Sequence, residues 1–229
     1  MSKPTIISAQ CPHCNADIEI PYYEDVNVTT DPVLKKAILS GDFFKYICPS
    51  CGESLPIVGP LLYHDQNAAA MFYFCPPGFD QSTEKLNEML QVIEGIEGSR
   101  ASHYQARLVS SIDKLLEKIY ILDAGLDDRI VELVKLAYLK HYSADLQSKG
   151  RIRATLFMPS LEDEEAQIVF MLGDDGDMAT VDFSKDYYAF FGTEYAQRLG
   201  NHTEPHFETI DEKWAAQFVS NQNYGGLNR

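Results

Sequence analysis

The chain has 229 residues, of which 45% are hydrophobic and 23% charged, and its formal net charge is −15. Chains of that length bury about 70–75% of their unfolded surface, so a conventional core needs no cross-links. The acidic excess runs through the whole chain, with 4 basic and 9 acidic groups in residues 1–80, 9 and 11 in residues 81–150, and 6 and 14 in residues 151–229; this disfavours binding that works by releasing counterions from phosphate, and charge-driven attachment to anionic membranes.

The chain starts Met1-Ser-Lys-Pro-Thr and goes straight into Ile6-Ile7, without the 7–15-residue apolar core of a signal peptide. No run approaches the ~18 apolar residues of a membrane span. The expected compartment is therefore the cytoplasm, where paired cysteines are more often metal-bound than cross-linked.

Cys11-Pro-His-Cys14 and Cys48-Pro-Ser-Cys51-Gly52 are separated by 33 residues. Four thiolates complete the tetrahedral shell of one Zn²⁺ and leave no position for water or substrate, so Cys11, Cys14, Cys48 and Cys51 are predicted to form a closed structural site. Pro fixes φ where each tight turn must direct its N–H groups at sulfur, and Gly52 suits the left-handed residue that follows. The competing reading is redox chemistry, because Cys-Pro-His-Cys is also an active-site tetrapeptide of strongly oxidising thioredoxin-like proteins, where a helix start lowers the first thiol's pKa. Asn15-Ala-Asp-Ile-Glu-Ile-Pro21 opposes it, since that alternation reads as a strand ended by Pro21.

Residues 5–10 and 16–20 should form a hairpin around the first pair, and Phe43 to Ile47 and Glu53 to Ile57 another around the second. Between them, Asp31-Pro32 and Gly41 bracket a short helix with Val33, Leu34, Ala37 and Ile38 on its apolar face. Leu61 to Tyr63 and Ala69 to Phe74 read as strands about a His64-Asp-Gln-Asn67 turn. Cys75 ends an apolar run before two prolines and reads as a buried, inert thiol.

These residues carry a resemblance. The two Cys-Pro-x-Cys pairs, Val28-Thr-Thr-Asp31-Pro32-Val-Leu-Lys-Lys with Gly41, Leu62-Tyr-His-Asp65, Leu115-Leu-Glu-Lys-Ile119 and Gly125-Leu-Asp-Asp-Arg129 together resemble the CpXC family of bacterial proteins. The likeness covers roughly the first 145 residues, and it implies that Cys11, Cys14, Cys48 and Cys51 are the motif cysteines. It implies no catalytic residue.

A helix should start at Ser82 and end near Gly95, with Glu94 to Gly98 as a joint. A longer one is expected from Tyr104 to Leu122, with Leu108, Ile112, Leu115, Leu116 and Ile119 as its stripe. After Gly125, Asp127 should cap a third, and these last two should pack as an antiparallel hairpin with Asp113–Glu117 and Asp128–Glu132 as solvated faces. Arg151–Met158, Ala166–Leu172 and Met178–Phe183 read as a β-meander. Glu162–Glu165 is then a hairpin tip and Asp174-Asp-Gly-Asp177 a turn, since EF-hand spacing is absent. A closing helix over Asp211–Ser220 and a mobile tail complete the chain.

The expected class is α+β: a zinc-ribbon-like antiparallel β unit in residues 1–80, a helical hairpin in 81–150, and a meander with a closing helix in 151–229. His202 and His206 have the spacing of helical ligands, but Pro205 breaks the helix between them. Three functions compete: a protein-interaction module stiffened by zinc, a thiol oxidoreductase or other enzyme, and a nucleic-acid-binding ribbon. The first is expected, with another protein as partner and no part for membranes. Charge disfavours the last.

Overall fold

A computed structural model describes residues 2–94, 104–160, 165–173, 175–200 and 206–220. Strands β1 (Thr5–Gln10) and β2 (Asp17–Tyr22) form a two-stranded antiparallel ribbon with Gln10 opposite Asp17. Pro21 lies inside β2 and does not end it. The ribbon has one partner per strand, so a residue whose N–H would face outward loses no ladder bond by being proline.

A short strand not anticipated from sequence, β3 (Asp25–Asn27), precedes α1 (Pro32–Ser40). This helix has Pro at its first position and stops at Gly41, whose φ of +77° no side chain favours and whose N–H bonds Ile38 O. Ile38 is fully buried, whereas Val33 is 74% exposed and does not join the apolar face expected of it. A 3-10 turn at Asp42–Phe44 leads into β4 (Lys45–Ile47), which pairs antiparallel with β5 (Ser54–Pro56).

Strands β6 (Leu61–Asp65) and β7 (Ala70–Phe74) are the centre of a four-stranded mixed sheet in the order β3-β6-β7-β8. β3 runs parallel to β6, and β8 (Gln105–Val109) parallel to β7. Every residue of β7 is buried, the unbroken apolar run of a strand covered on both faces. Tyr63 and Phe72 stack at 5.6 Å across the β6–β7 pair. His64 and Asp65 belong to β6, and the predicted turn starts only at Gln66.

Helix α2 (Thr83–Glu94) starts where expected, with Ser82 Oγ accepting from the Lys85 N–H. The joint expected around residues 95–98 lies outside the described residues. The single helix expected over Tyr104 to Leu122 is corrected: residues 105–109 are β8, and α3 is Ile112–Asp123. Leu108 meets the helical spacing by coincidence, since sheet pairing buries Ala106, Arg107 and Val109 on both sides. Ser111 then opens α3, its carbonyl accepting from Leu115 N and its Oγ from Lys114 N.

The chain forms two compact units, one of Met1–Leu116 with His202–Glu208, the other of Glu117–Asn201 with Thr209–Arg229. In the second, α3 ends in a Schellman motif: Gly125 has φ +68°, its N–H bonds Leu122 O, and Leu126 N–H bonds Ile121 O. Asp127 then caps α4 (Asp128–His141), its side chain accepting from Arg129 N. Helix α5 (Ser143–Lys149) follows, then a meander of β9 (Ile152–Pro159), β10 (Ala166–Leu172) and β11 (Asp177–Asp182) in the order β11-β10-β9.

Two short helices absent from the sequence reading, α6 (Lys185–Glu194) and α7 (Ala196–Leu199), precede the closing α8 (Glu212–Ser220). α4 is the axis of this unit. Its Val131, Val134 and Tyr138 pack with Phe157, Ile168 and Phe170 of the meander, while its Leu133 and Leu136 pack with Tyr195 and with Ala215 of α8. The class is α+β, as expected. The hairpin tip at residues 162–165 falls largely outside the described residues, and so does the tail after Ser220.

Candidate metal centre

The two cysteine turns are built alike. Cys11 N–H bonds Ala16 O and Cys48 N–H bonds Glu53 O, each at 2.9 Å. Asn15 N–H returns to Cys11 O and Gly52 N–H to Cys48 O, at 2.8 and 2.9 Å. Both closing residues are left-handed, with φ +58° at Asn15 and +78° at Gly52. Asn tolerates that region better than other side chains, so one turn uses Asn where the other uses Gly.

The turns place four sulfurs together. Cys11 Sγ lies 3.8 Å from Cys51 Sγ, and Cys14 Sγ 3.8 Å from Cys48 Sγ. All four lie within 4.8 Å of one another. A disulfide needs about 2.05 Å, whereas ligands 2.3 Å from a tetrahedral ion stand about 3.8 Å apart. Cys11 and Cys48 are buried beside Ile18 and Leu55, and Cys14 and Cys51 face outward.

Backbone N–H groups address the sulfurs: Ala16 to Cys14, Glu53 to Cys51, and Cys51 and Ser50 to Cys48. Without a cation the thiols cannot all ionise. The N–H of Cys51 and then that of Ser50 hold Cys48 down to about 6. For Cys51 the N–H of Glu53 favours the thiolate, yet desolvation and the neighbouring sulfurs push it up to about 12. A divalent cation at the centre removes this conflict by stabilising all four thiolates at once. The donor set therefore fits a metal ion, and the arrangement is compatible with a metal site.

The model of the CpXC protein family matches residues 9–135, more than half of the chain. The chain belongs to the CpXC family. No curated protein and no solved structure matches it.

The other candidate residues of this CpXC protein do not join the sulfurs. His13 is exposed between two of the cysteines. His64 is buried in β6 with its Nε2 2.9 Å from Tyr104 Oη, which corrects its placing in a turn. Its neighbour Asp65 accepts from Ala68 N and pairs with Lys35 at 3.6 Å. His206 is exposed and lies 3.2 Å from Glu208 Oε1, while His202 lies outside the described residues. Cys75 is fully buried, its thiol directed at Asp80 O at 3.5 Å.

A second polar cluster was missed from sequence altogether. Glu117, Lys118, Asp128, Glu132 and Lys135 are all 2% exposed or less, which corrects the expectation of solvated faces. Lys135 Nζ lies 2.6 Å from Glu117 and 2.8 Å from Glu132, and Lys118 Nζ 2.9 Å from Asp128. Glu117 also accepts from Phe157 N, which ties the cluster to the meander. A signal was present: α4 is apolar over more of its circumference than one face needs, so its charges had to be buried with partners.

Proposed function

We propose that this CpXC protein holds one Zn²⁺ through Cys11, Cys14, Cys48 and Cys51, and that the metal is structural. The observation that carries the reading is the set of four sulfurs within 4.8 Å, two pairs of them at the 3.8 Å edge of a zinc–thiolate tetrahedron. Four protein sulfurs close the shell, so the ion offers no position for catalysis. The redox alternative loses its physical basis because Cys14 is followed by strand β2 and not by a helix whose N-terminus would lower a thiol's pKa. The reducing cytoplasm is the compartment that suits such a site.

The proposed role of the metal-bearing unit is to present a rigid surface to another protein. Ile6, Ile7, Ile47, Val58 and Phe79 of this unit are between 43 and 59% exposed, and Ile7, Val58 and Phe79 line one cleft, which suits a partner.

The test is bound metal per chain after purification under reducing conditions without added metal. One zinc per chain is expected, released only by thiol-modifying reagent or denaturant, and Cys48→Ser should lose it. Absence of zinc, with the cysteines pairing as disulfides once reductant is withdrawn, overturns the proposal and makes Cys11-Pro-His-Cys14 a redox centre to assay.

A further inference from the structure

Next to the metal-bearing ribbon lies a cleft of about 650 Å³. That volume is within the range of pockets that seat ligands. Three pieces of the first unit line it: the ribbon through Ile7, Ile20 and Tyr22, the connection Pro56–Pro60 between β5 and β6, and the stretch from Phe79 to Met89 that enters α2. Ile7 and Ile20 stand directly opposite each other across the β1–β2 pair, and Tyr22 is two residues further along the same face.

The wall between ribbon and connection is held in place. A Cβ on Gly59 would lie 2.5 Å from Tyr22 Oη, so only glycine lets that ring lie against the backbone there. The Tyr22 hydroxyl donates to Pro60 O. Ile57 N–H is used by Phe44 O, but the next two, on Val58 and Gly59, donate to no group among the described residues. The cleft is therefore preformed and has largely apolar walls, with main-chain donors beside them that meet no group among the described residues.

Its charge selects among occupants. Among the described residues Glu24 and Asp80 line it with a single cation, Lys85. Residues 1–80 around it carry 4 basic and 9 acidic groups. An apolar occupant bearing cationic side chains complements this cleft, and an anionic one does not.

We propose that the cleft binds an extended peptide segment of a partner protein, with apolar side chains seated among Ile7, Val58 and Phe79 and a Lys or Arg beside Glu24 and Asp80. The N–H groups of Val58 and Gly59 supply main-chain hydrogen bonds, as in recognition of extended chains generally. The inference rests on the interaction role proposed above and gives it a surface and a partner chemistry.

The experiment uses the full zinc-loaded chain and fluorescence anisotropy of short labelled peptides alternating Leu with Lys, Leu with Glu, or Ser with Lys. Saturable binding is expected for the Leu–Lys peptide alone. The double variant Val58→Ser/Phe79→Ser, altering two exposed positions, should weaken it about ten-fold or more. Glu24→Gln should weaken it at low salt and make little difference at high salt.

Equal binding of the Ser–Lys peptide would reduce the effect to bulk charge, and an undiminished affinity of the double variant would place the site elsewhere; either overturns the proposal. So does the absence of Leu–Lys binding. Saturation by an alkylamine without peptide binding also overturns it, and makes the cleft a small-ligand site. Zinc content and thermal midpoint, measured on the same samples, keep the two proposals apart: a chain with one zinc that binds no peptide loses the cleft and retains the metal.

Discussion

The imidazole of His64 sits in β6 against the Tyr104 hydroxyl, and burial lowers its pKa, with Asp65 opposing the shift. The folded chain therefore binds that proton less readily than the unfolded chain, whose histidines titrate near 6.5. The stability this group contributes is fully present above about pH 6.5 and drains away as the pH falls towards the lower folded value. The advantage in thermal midpoint of the native chain over His64→Gln should shrink as the pH is lowered from about 7.5 to about 5. A difference that stays constant across that interval would mean that His64 does not titrate on unfolding. Little of this was legible in the sequence. His64-Asp-Gln-Asn67 has the composition of a turn, and only the pairing of β6 with both β3 and β7 carries its first two residues into the interior.

At the scale of the element, α4 shows what burial all round demands of a helix. Desolvation alone would drive Lys135 towards its neutral form, but the carboxylates of Glu117 and Glu132 offset it and hold its pKa above the usual lysine value. Removing the cation leaves two buried carboxylates without it. Lys135→Met should cost about 3–5 kcal/mol in urea unfolding followed by Trp214 fluorescence, and adding Glu117→Gln and Glu132→Gln should recover part of the loss. An unchanged midpoint for Lys135→Met would remove the cluster from the stability of this unit. Elements with local punctuation were legible: Asp31-Pro32 with Gly41 bounded α1, Asp127 opened α4, and the two cysteine turns marked their own hairpins. β3 and β8 were not, because three or five residues carry no period of their own and become strands through the distant partners β6 and β7. The gathering of the four cysteines could be read from spacing alone, but the equivalence of Asn15 to Gly52 became visible only through φ.

For the whole molecule, charge and metal make separate predictions. A net charge of −15 opposes binding to phosphate, so electrophoretic mobility shifts with DNA or RNA should be absent even at low salt. Among the described residues no helix is long and apolar enough to cross a membrane. Metal binding contributes about 10–16 kcal/mol in isolated zinc fingers, comparable to the whole stability of a domain. Stripping it with a thiol reagent should therefore abolish amide protection in β1, β2, β4 and β5. The single Trp214 packs with Phe218 in the second unit and reports on that unit, so its emission should stay native. A shift of that emission together with the loss of protection would show that both units depend on the metal.

The placing of the cysteines also bears on the order in which the sheet assembles. β3 lies in the loop that the Cys11 and Cys51 sulfurs close, and its parallel partner β6 starts soon after that loop ends, with Asp25 opposite Leu62. A parallel pair so far apart in the chain must lose loop entropy before any hydrogen bond forms, and such pairings are the slow steps of folding. An ion that gathers the four sulfurs shortens that search by drawing the two segments near each other beforehand. A metal ion held by these cysteines would act on time as well as on stability, by deciding which strands meet first.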